Sequence, residues 1–464
     1  MMRIRNSAWM GVAALLASVA GHAADGNNGW EADVGAGVTH TDNLERTATD
    51  PESDNLATGT AKLLVLEQTR SLFADVDALG TWRDLPSDAT GERFMPNVNA
   101  FALWTISPEV FAWNFSDNLG TISNNANGGL DDANQRRVNV YNTGPDLRLG
   151  NGINALTVQA RYGAVNYSGD KFYDNERLSA AAGFEHQTDG GAVTSLTAER
   201  SRTRERQTKD INTIDSAMLG YTNTGARGTV DAKVGFSRLS RDPGIYSQSP
   251  ADSANGFSGD VRLERTLTPN TSLSVDVVRR YGDSADVFER QQSLEPDTNV
   301  VGNVLATNNP IQETSEDVGY GWIGRRSSAT LSVSHYEQQQ ALALVPTDPA
   351  VNVDRKGTAA QLDVGFSFTP RLSLDGSAAR LNWTDETNDD AHSTAATLAL
   401  GWQVTNAVDV TLSAQRYTQD STQAVYTENR YYAGITVRLT RNKLDSTRRP
   451  GLDTAARRRV QQER

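Results

Sequence analysis

The chain of 464 residues contains no cysteine. Disulfides, thiolate metal sites and a lipid anchor on cysteine are therefore excluded, and stability has to come from packing and backbone hydrogen bonds. No apolar run approaches the roughly 18 residues that a membrane-spanning helix needs. Aromatic residues make up only 7% and hydrophobic residues 38%, with a mean hydropathy of −0.51. So polar a composition is still compatible with a membrane barrel, in which only every second strand residue meets lipid and the lumen, turns and loops stay wet. Histidine is scarce as well. His22, His40, His186, His335 and His392 lie far apart, and no pair has metal-ligand spacing. Neither a Gly-x-Ser-x-Gly elbow nor a phosphate loop occurs. These absences predict a protein that is not an enzyme and holds no metal or cofactor.

Basic residues are outnumbered. The formal net charge is −13, which argues against a nucleic-acid partner. Much of the acid falls in presumed loops, such as Asp50-Pro51-Glu52-Ser53-Asp54 and Asp385 to Asp390, where it solvates loop tips. The N-terminus reads as a secretory signal. Arg3 and Arg5 precede the short apolar stretch Met10 to Ala20, and the small residues that follow suit cleavage after Ala23, with Ala24 as second choice. The division predicted is a signal peptide at 1–23, a barrel at 24–442 and a basic periplasmic tail at 443–464, carrying Arg448-Arg449 and Arg457-Arg458-Arg459.

What the chain does have is a rhythm of apolar and polar alternation. Val230-Asp231-Ala232-Lys233-Val234-Gly235-Phe236 puts Val, Ala, Val and Phe on one face and Asp, Lys and Gly on the other. A strand of that kind divides an apolar medium from a wet one. Short turns at Arg70-Ser71, Ser107-Pro108-Glu109, Gly150-Asn151-Gly152, Asp189-Gly190-Gly191, Gly225-Ala226-Arg227, Thr268-Pro269-Asn270, Arg326-Ser327-Ser328, Thr369-Pro370-Arg371 and Thr405-Asn406-Ala407 mark hairpins. With a first strand from about Trp30 to Thr41 and a last from about Asn429 to Thr440, the pattern predicts an all-β, antiparallel up-and-down transmembrane barrel of about 20 strands (18–22 on soft boundaries). Short periplasmic turns and long extracellular loops would connect them. The connections at 284–315 and 338–356 include apolar patches, Val300-Val301 with Val304-Leu305, and Ala341 to Val345. Such patches suit either a loop folded into the lumen or two loops packed together above the rim.

The alternation also assigns faces. Leu72, Val76, Trp82, Phe111, Trp113, Phe115, Leu156, Val158, Tyr162, Leu362, Val364, Phe366, Phe368, Leu398, Leu400, Trp402 and Val404 belong on the lipid side. The pore-lining candidates are Asp75, Asp77, Gln159, Arg161, Asp231, Lys233, Asp260, Arg262, Glu264, Asp276, Arg280, Asp363, Asp375, Asp409, Gln415 and Arg438. Trp82, Trp104, Trp113, Trp322, Trp383 and Trp402 fall near strand ends, as aromatic girdles do. Tyr432, Gly434, Val437 and Leu439 in the last strand resemble the signal read by the outer-membrane assembly machinery, although Leu439 stands where an aromatic residue is usual and a tail follows.

A lining of both charge signs is no filter for one ion sign. Its carboxylates and amides can instead bond sugar hydroxyls. Gly35-Ala36-Gly37-Val38-Thr39-His40-Thr41-Asp42-Asn43-Leu44 resembles the opening strand and first loop of outer-membrane barrels encoded with exopolysaccharide biosynthesis operons, the EpsL-type group. The resemblance implies an outer-membrane conduit for a nascent polysaccharide, with lipid, lipopolysaccharide, the assembly machinery and periplasmic export components as partners. It carries over no binding residue. A diffusion porin or uptake channel for small hydrophilic solutes, and a structural or adhesive surface barrel, remain open as alternatives.

Overall fold

A computed structural model describes residues 29–44, 46–84, 94–123, 135–168, 174–247, 249–283, 285–289, 309–342, 354–385, 390–421 and 425–439. The expected signal at 1–23, the tail at 443–464 and the patches at 300–305 and 343–345 lie outside these residues. The strands are β1 (Gly29–Thr41), β2 (Asp54–Gln68), β3 (Leu72–Arg83), β4 (Phe94–Ser107), β5 (Phe111–Ser123), β6 (Gln135–Asn151), β7 (Asn154–Tyr167), β8 (Asn175–Gln187), β9 (Val193–Glu205), β10 (Ile211–Gly225), β11 (Gly228–Asp242), β12 (Asp252–Thr268), β13 (Thr271–Gly282), β14 (Ile311–Ile323), β15 (Ser327–Gln340), β16 (Arg355–Thr369), β17 (Leu372–Asp385), β18 (Asp390–Gln403), β19 (Val408–Asp420) and β20 (Val425–Arg438). Each strand pairs antiparallel with its neighbour in sequence, and β1 also pairs with β20 from Asp33↔Arg438 to Thr41↔Arg430. The sheet is closed and has no open edge, so every strand has a hydrogen-bonded partner on both sides.

Strands of 12 to 17 residues are about 40–55 Å long. Twenty strands at the usual spacing, tilted by about 40°, give a backbone diameter of about 40 Å. A barrel this wide cannot fill its interior with wall side chains alone.

Some boundaries differ from the sequence expectation: Gly150 and Asn151, for example, still pair with Ala155 and Asn154. Ser327 and Ser328 already pair with Phe366 and Gly365, so the hairpin turns two residues earlier, at 324–326, where Gly324 N donates to Ser327 O at 2.7 Å. The last strand starts at Val425 rather than near Asn429. Its first residues, Val425-Tyr426-Thr427-Glu428, do not alternate in polarity, so pairing continues where alternation has stopped.

That extension builds the closing seam. Glu428 is 1% exposed and accepts from Thr41 Oγ1 at 2.7 Å, Arg46 Nε at 2.9 Å and Arg430 Nε. Beside it Asp42 accepts from the backbone and side-chain nitrogens of Asn429 at 2.7 and 2.6 Å. Lower down the seam the Tyr432 ring covers the Gly37↔Gly434 pair. A Cβ on Gly37 would meet Tyr432 Cε2 at 2.5 Å, and one on Gly434 would meet the Tyr432 hydroxyl at 2.0 Å. The spacing of Tyr432 and Gly434 thus has a packing role at closure, an aromatic ring laid over glycines. Replacing Glu428 with Ala would leave two arginines at the seam without their carboxylate. The expected loss is about 3 kcal/mol, read as a lower urea midpoint for the heat-modifiable band. An unchanged midpoint would show that the seam does not depend on Glu428.

Candidate functional site: a latched lumen

The inner face is identified by what crosses it. After β13 the chain makes a single helical turn at 285–289. That turn touches Asn118 on β5, Asn142 on β6, Arg177 on β8 and Arg280 on β13. A segment that reaches both β5–β8 and β13 can do so only through the lumen. The side chains it meets define the inner face, and the pairing registers extend that face to every strand.

Asp75, Asp77, Gln159, Arg161, Asp231, Lys233, Asp260, Arg262, Glu264, Asp276, Arg280, Asp363, Asp375, Asp409, Gln415 and Arg438 all occupy inner-face positions in this register. The outer-face set is exposed over wide areas, for example Leu156 45%, Phe366 42% and Leu398 52%. Trp82, Trp104, Trp322 and Trp402 are likewise exposed, and Trp113 on the outer face donates from Nε1 to Thr143 Oγ1 at 2.7 Å. Trp383 departs from the girdle expectation. It alternates inward and is 5% exposed, packed with Leu381, Ala391, Tyr336 and Ala359. It sits above the apolar band of the outer face, near the end of β17.

Several lining arginines are held against the wall by carboxylates, and some lining carboxylates by neutral donors. Arg161 bonds Asp146 and donates to Pro145 O at 2.9 Å. Arg148 meets Glu185 at 2.6 Å and Arg262 meets Glu264 at 2.5 Å. Arg438 bridges Asp409 at 3.0 Å and Glu31 at 3.3 Å. Asp231 accepts from Thr222 at 3.1 Å and Asp363 from Gln361 at 2.9 Å. Charges paired at such short range leave a weak net field but many exposed hydrogen-bonding atoms.

The helical turn is fastened in two ways. Its N-terminus is capped by Asp283, whose Oδ1 accepts from the backbone nitrogens of Ala285 at 2.9 Å and Asp286 at 3.2 Å, while Asp286 Oδ2 accepts from Asp283 N at 2.9 Å. That reciprocal arrangement is a capping box. The two carboxylates of the box then grip one guanidinium: Arg177 donates from Nη2 to Asp283 and from Nη1 to Asp286 at 2.5 Å. Arg280 Nη2 donates to Asp286 O at 3.0 Å. Glu289 accepts from Asn142 Nδ2 at 2.8 Å and Asn118 Nδ2 at 3.4 Å. The second fastening is apolar. Ala285, Val287 and Phe288 are at most 1% exposed and pack on Ile122, Val138, Val140, Val165, Tyr167 and Ile311. Val138 and Val140 lie on the inner face, where a purely wet wall would have polar residues.

Burial raises the Glu289 carboxyl to about 7, against the opposing pull of Arg177. Burial also disfavours the Asp286 carboxylate, but Arg177 and Arg280 outweigh it and its pKa falls below the ordinary value. Glu289 is therefore half-protonated near neutral pH, while Asp286 keeps its charge for the ion pair.

A second connection also leans inward. Leu342, directly after β15, is 4% exposed and packs on Leu239 and Tyr281. The inward-folding alternative for the connections at 284–315 and 338–356 therefore describes residues 285–289 and 341–342. The sequence reading missed Arg177, Asp283, Asp286 and Glu289. The signal for part of this was present: Asp283 followed three residues later by Asp286, directly after a strand, is a capping pattern. Nothing local marks Arg177 as their partner, because the pair is 106 residues apart.

No family model matches the chain and no curated protein does. Among solved structures the chain is similar to the copper transporter OprC (13% identity, covering 89% of this chain and 81% of that one, TM-score 0.42). It is also similar to the ferric-catecholate import receptor Fiu of E. coli K12 (8%, 89% and 82%, 0.43) and the FrpB iron transporter of Neisseria meningitidis (9%, 88% and 81%, 0.41). At these values the likeness carries nothing about cargo.

Proposed function

We propose that this protein is an outer-membrane transport barrel whose cargo is a hydrated polysaccharide leaving the cell. The observation that carries the reading is the pairing of a wide lumen, lined by polar groups among which several arginines are matched by carboxylates, with a loop segment latched to its wall. A polymer sliding through needs many weak hydrogen-bonding partners and no strong one. A lumen that serves only an intermittent polymer has to stay shut at other times, or the outer membrane leaks. The first-strand resemblance points the same way, and the apolar outer band suits lipid.

The test uses the full-length protein in liposomes loaded with fluorescent linear dextran or with a small fluorescent sugar. The expected result is that wild type releases neither quickly and that a latch-broken variant releases both. Release of the small sugar alone from both proteins would replace the export reading with a diffusion or uptake channel. The face assignment has its own check. Cysteines at Asp231, Asp260 and Asp276 should react with a water-soluble thiol reagent in the inserted protein, whereas cysteines at Val230, Val261 and Val277 should not. Equal labelling of the two sets would reject the barrel's orientation of faces.

A further inference from the structure

The outer face carries a second pattern, independent of the lumen. On β9 the outward residues run Leu196, Ala198, Arg200. On β11 they run Val230, Ala232, Val234, Phe236, Arg238. On β13 they run Leu273, Val275, Val277, Arg279; on β17 Leu374, Gly376, Ala378, Arg380; on β19 Val410, Leu412, Ala414, Arg416. In each case the first charged outward residue past the apolar run, on the side of the long connections, is an arginine, and all five are exposed. At the same position β15 has His335. A chain of net charge −13 has thus placed five guanidinium groups where its apolar band ends, with Asp215 on β10 and Glu316 on β14 as acids at that level.

The arginines are densest at β9–β11. Arg202 and Arg204 continue outward above Arg200, both exposed. Arg200 makes a two-pronged pair with Asp215, at 2.6 and 3.1 Å, yet its side chain stays 71% exposed. Arg238 lies across from Asp215 on the next strand. Glu176, the outward acid on β8, lies directly across from Arg204 and is engaged by Arg206 at 3.4 Å, and Asp242 lies across from Ile211 at the far end. Arg202, Arg204 and Arg238 have no acidic group within 4 Å among the described residues, and they stand directly above Leu196, Ala198, Leu219 and Phe236. Three long cationic side chains above an apolar surface present donors to an anion whose tail lies against that surface.

We propose that this patch binds the phosphate groups of a phosphorylated glycolipid in the outer leaflet. Acyl chains would lie against Leu196, Leu219 and Phe236, and phosphate oxygens would accept from Arg202, Arg204 and Arg238. Guanidinium groups are suited to phosphate because they donate in a planar fork, and attraction to an anionic lipid surface grows with each arginine near it. The lipid orientation rests on the membrane reading given under the proposed function.

The test uses full-length protein in mild detergent, titrated with diphosphorylated lipid A and, separately, with the same lipid stripped of phosphate, and followed by native mass spectrometry. Wild type should retain the diphosphorylated lipid, and the variant R202Q/R204Q/R238Q should bind it about 100-fold more weakly. R202K/R204K/R238K should recover part of that loss. Millimolar inorganic phosphate should not displace the lipid. Equal retention of the stripped lipid, equal binding by the glutamine variant, or displacement by inorganic phosphate would each overturn the proposal. Intact heat-modifiability verifies the fold of each variant. Failure of the wild type to insert into liposomes would count against the membrane reading, whereas insertion without phosphate discrimination counts against the arginine patch alone.

Discussion

Replacing Arg177 with Ala should unlatch the lumen. Arg177 is the guanidinium shared by Asp283 and Asp286, and removing it leaves both carboxylates inside the barrel without their main counter-charge. Breaking one side of a buried ion pair costs about 3–5 kcal/mol, which moves the balance of docked and undocked loop by about 100- to 3,000-fold. The apolar seat opposes this. Burying Phe288 and Val287 contributes roughly 1.5–3 kcal/mol each, so the seat alone is of similar size to the electrostatic loss. The expected result is therefore a mixture of open and closed channels where wild type opens only part of the time, with a large rise in mean conductance in planar bilayers. Arg177→Lys keeps the charge but loses the fork and should fall between the two. Arg161→Ala removes a lining arginine that does not touch the turn, and should change conductance little. Indistinguishable conductance for Arg177→Ala and wild type would mean that the turn at 285–289 does not gate the lumen. The barrel should survive, because β8 keeps both of its strand partners.

Acidification should close the channel. Glu289 has its pKa raised to about 7 when docked, from an ordinary 4.5. The docked state thus binds more protons than the undocked one between those values. The proton-linked contribution to docking is complete below the ordinary pKa and is lost as pH rises through about 7. Arg177 and Arg280 keep Asp286 ionised below its ordinary range, so the Arg177–Asp286 pair survives the same titration, whereas burial raises the Asp283 carboxyl and adds to proton uptake on docking. Going from pH 8 to pH 5.5 should favour the docked loop by up to about 30-fold, or about 2 kcal/mol. Conductance measured across that range should fall with pH, and the slope should be reduced in Glu289→Gln, whose amide imitates the protonated acid, with Asp283 accounting for what remains. A conductance that rises on acidification in wild type would reverse the assignment of Glu289 as the titrating group. Asn118 and Asn142 donate to this carboxyl in the structure, so replacing Asn142 with Leu should shift the midpoint without removing the transition.

The division between what could be read early and late follows from the range of each interaction. Strand alternation is local. Val230, Ala232, Val234 and Phe236 declare their face without reference to anything distant, because a strand has only two sides. Hairpin turns are equally local, since Gly, Pro and Asn announce positive or restricted φ where the chain must reverse; Gly191 has φ +81°. The number of strands, the closed antiparallel order and the inward position of Asp231, Asp260 and Asp276 therefore needed only the sequence. The exceptions lie where alternation loses its meaning. Trp383 sits above the apolar band and turns inward, and β20 runs on through Thr427 and Glu428 because hydrogen bonding does not end where the apolar band does. The latch is a different case. Val138 and Val140 alternate like any other strand, and only the arrival of Phe288 makes their inward faces a seat. Arg177 looks like one more lining arginine until Asp283 and Asp286 come across the lumen to meet it. Local periodicity determined the wall of this protein. Which residues dock inside the barrel was decided by the tertiary structure alone, because it depends on β5–β8 and β13 coming within reach of one helical turn, which no pattern along the chain can measure.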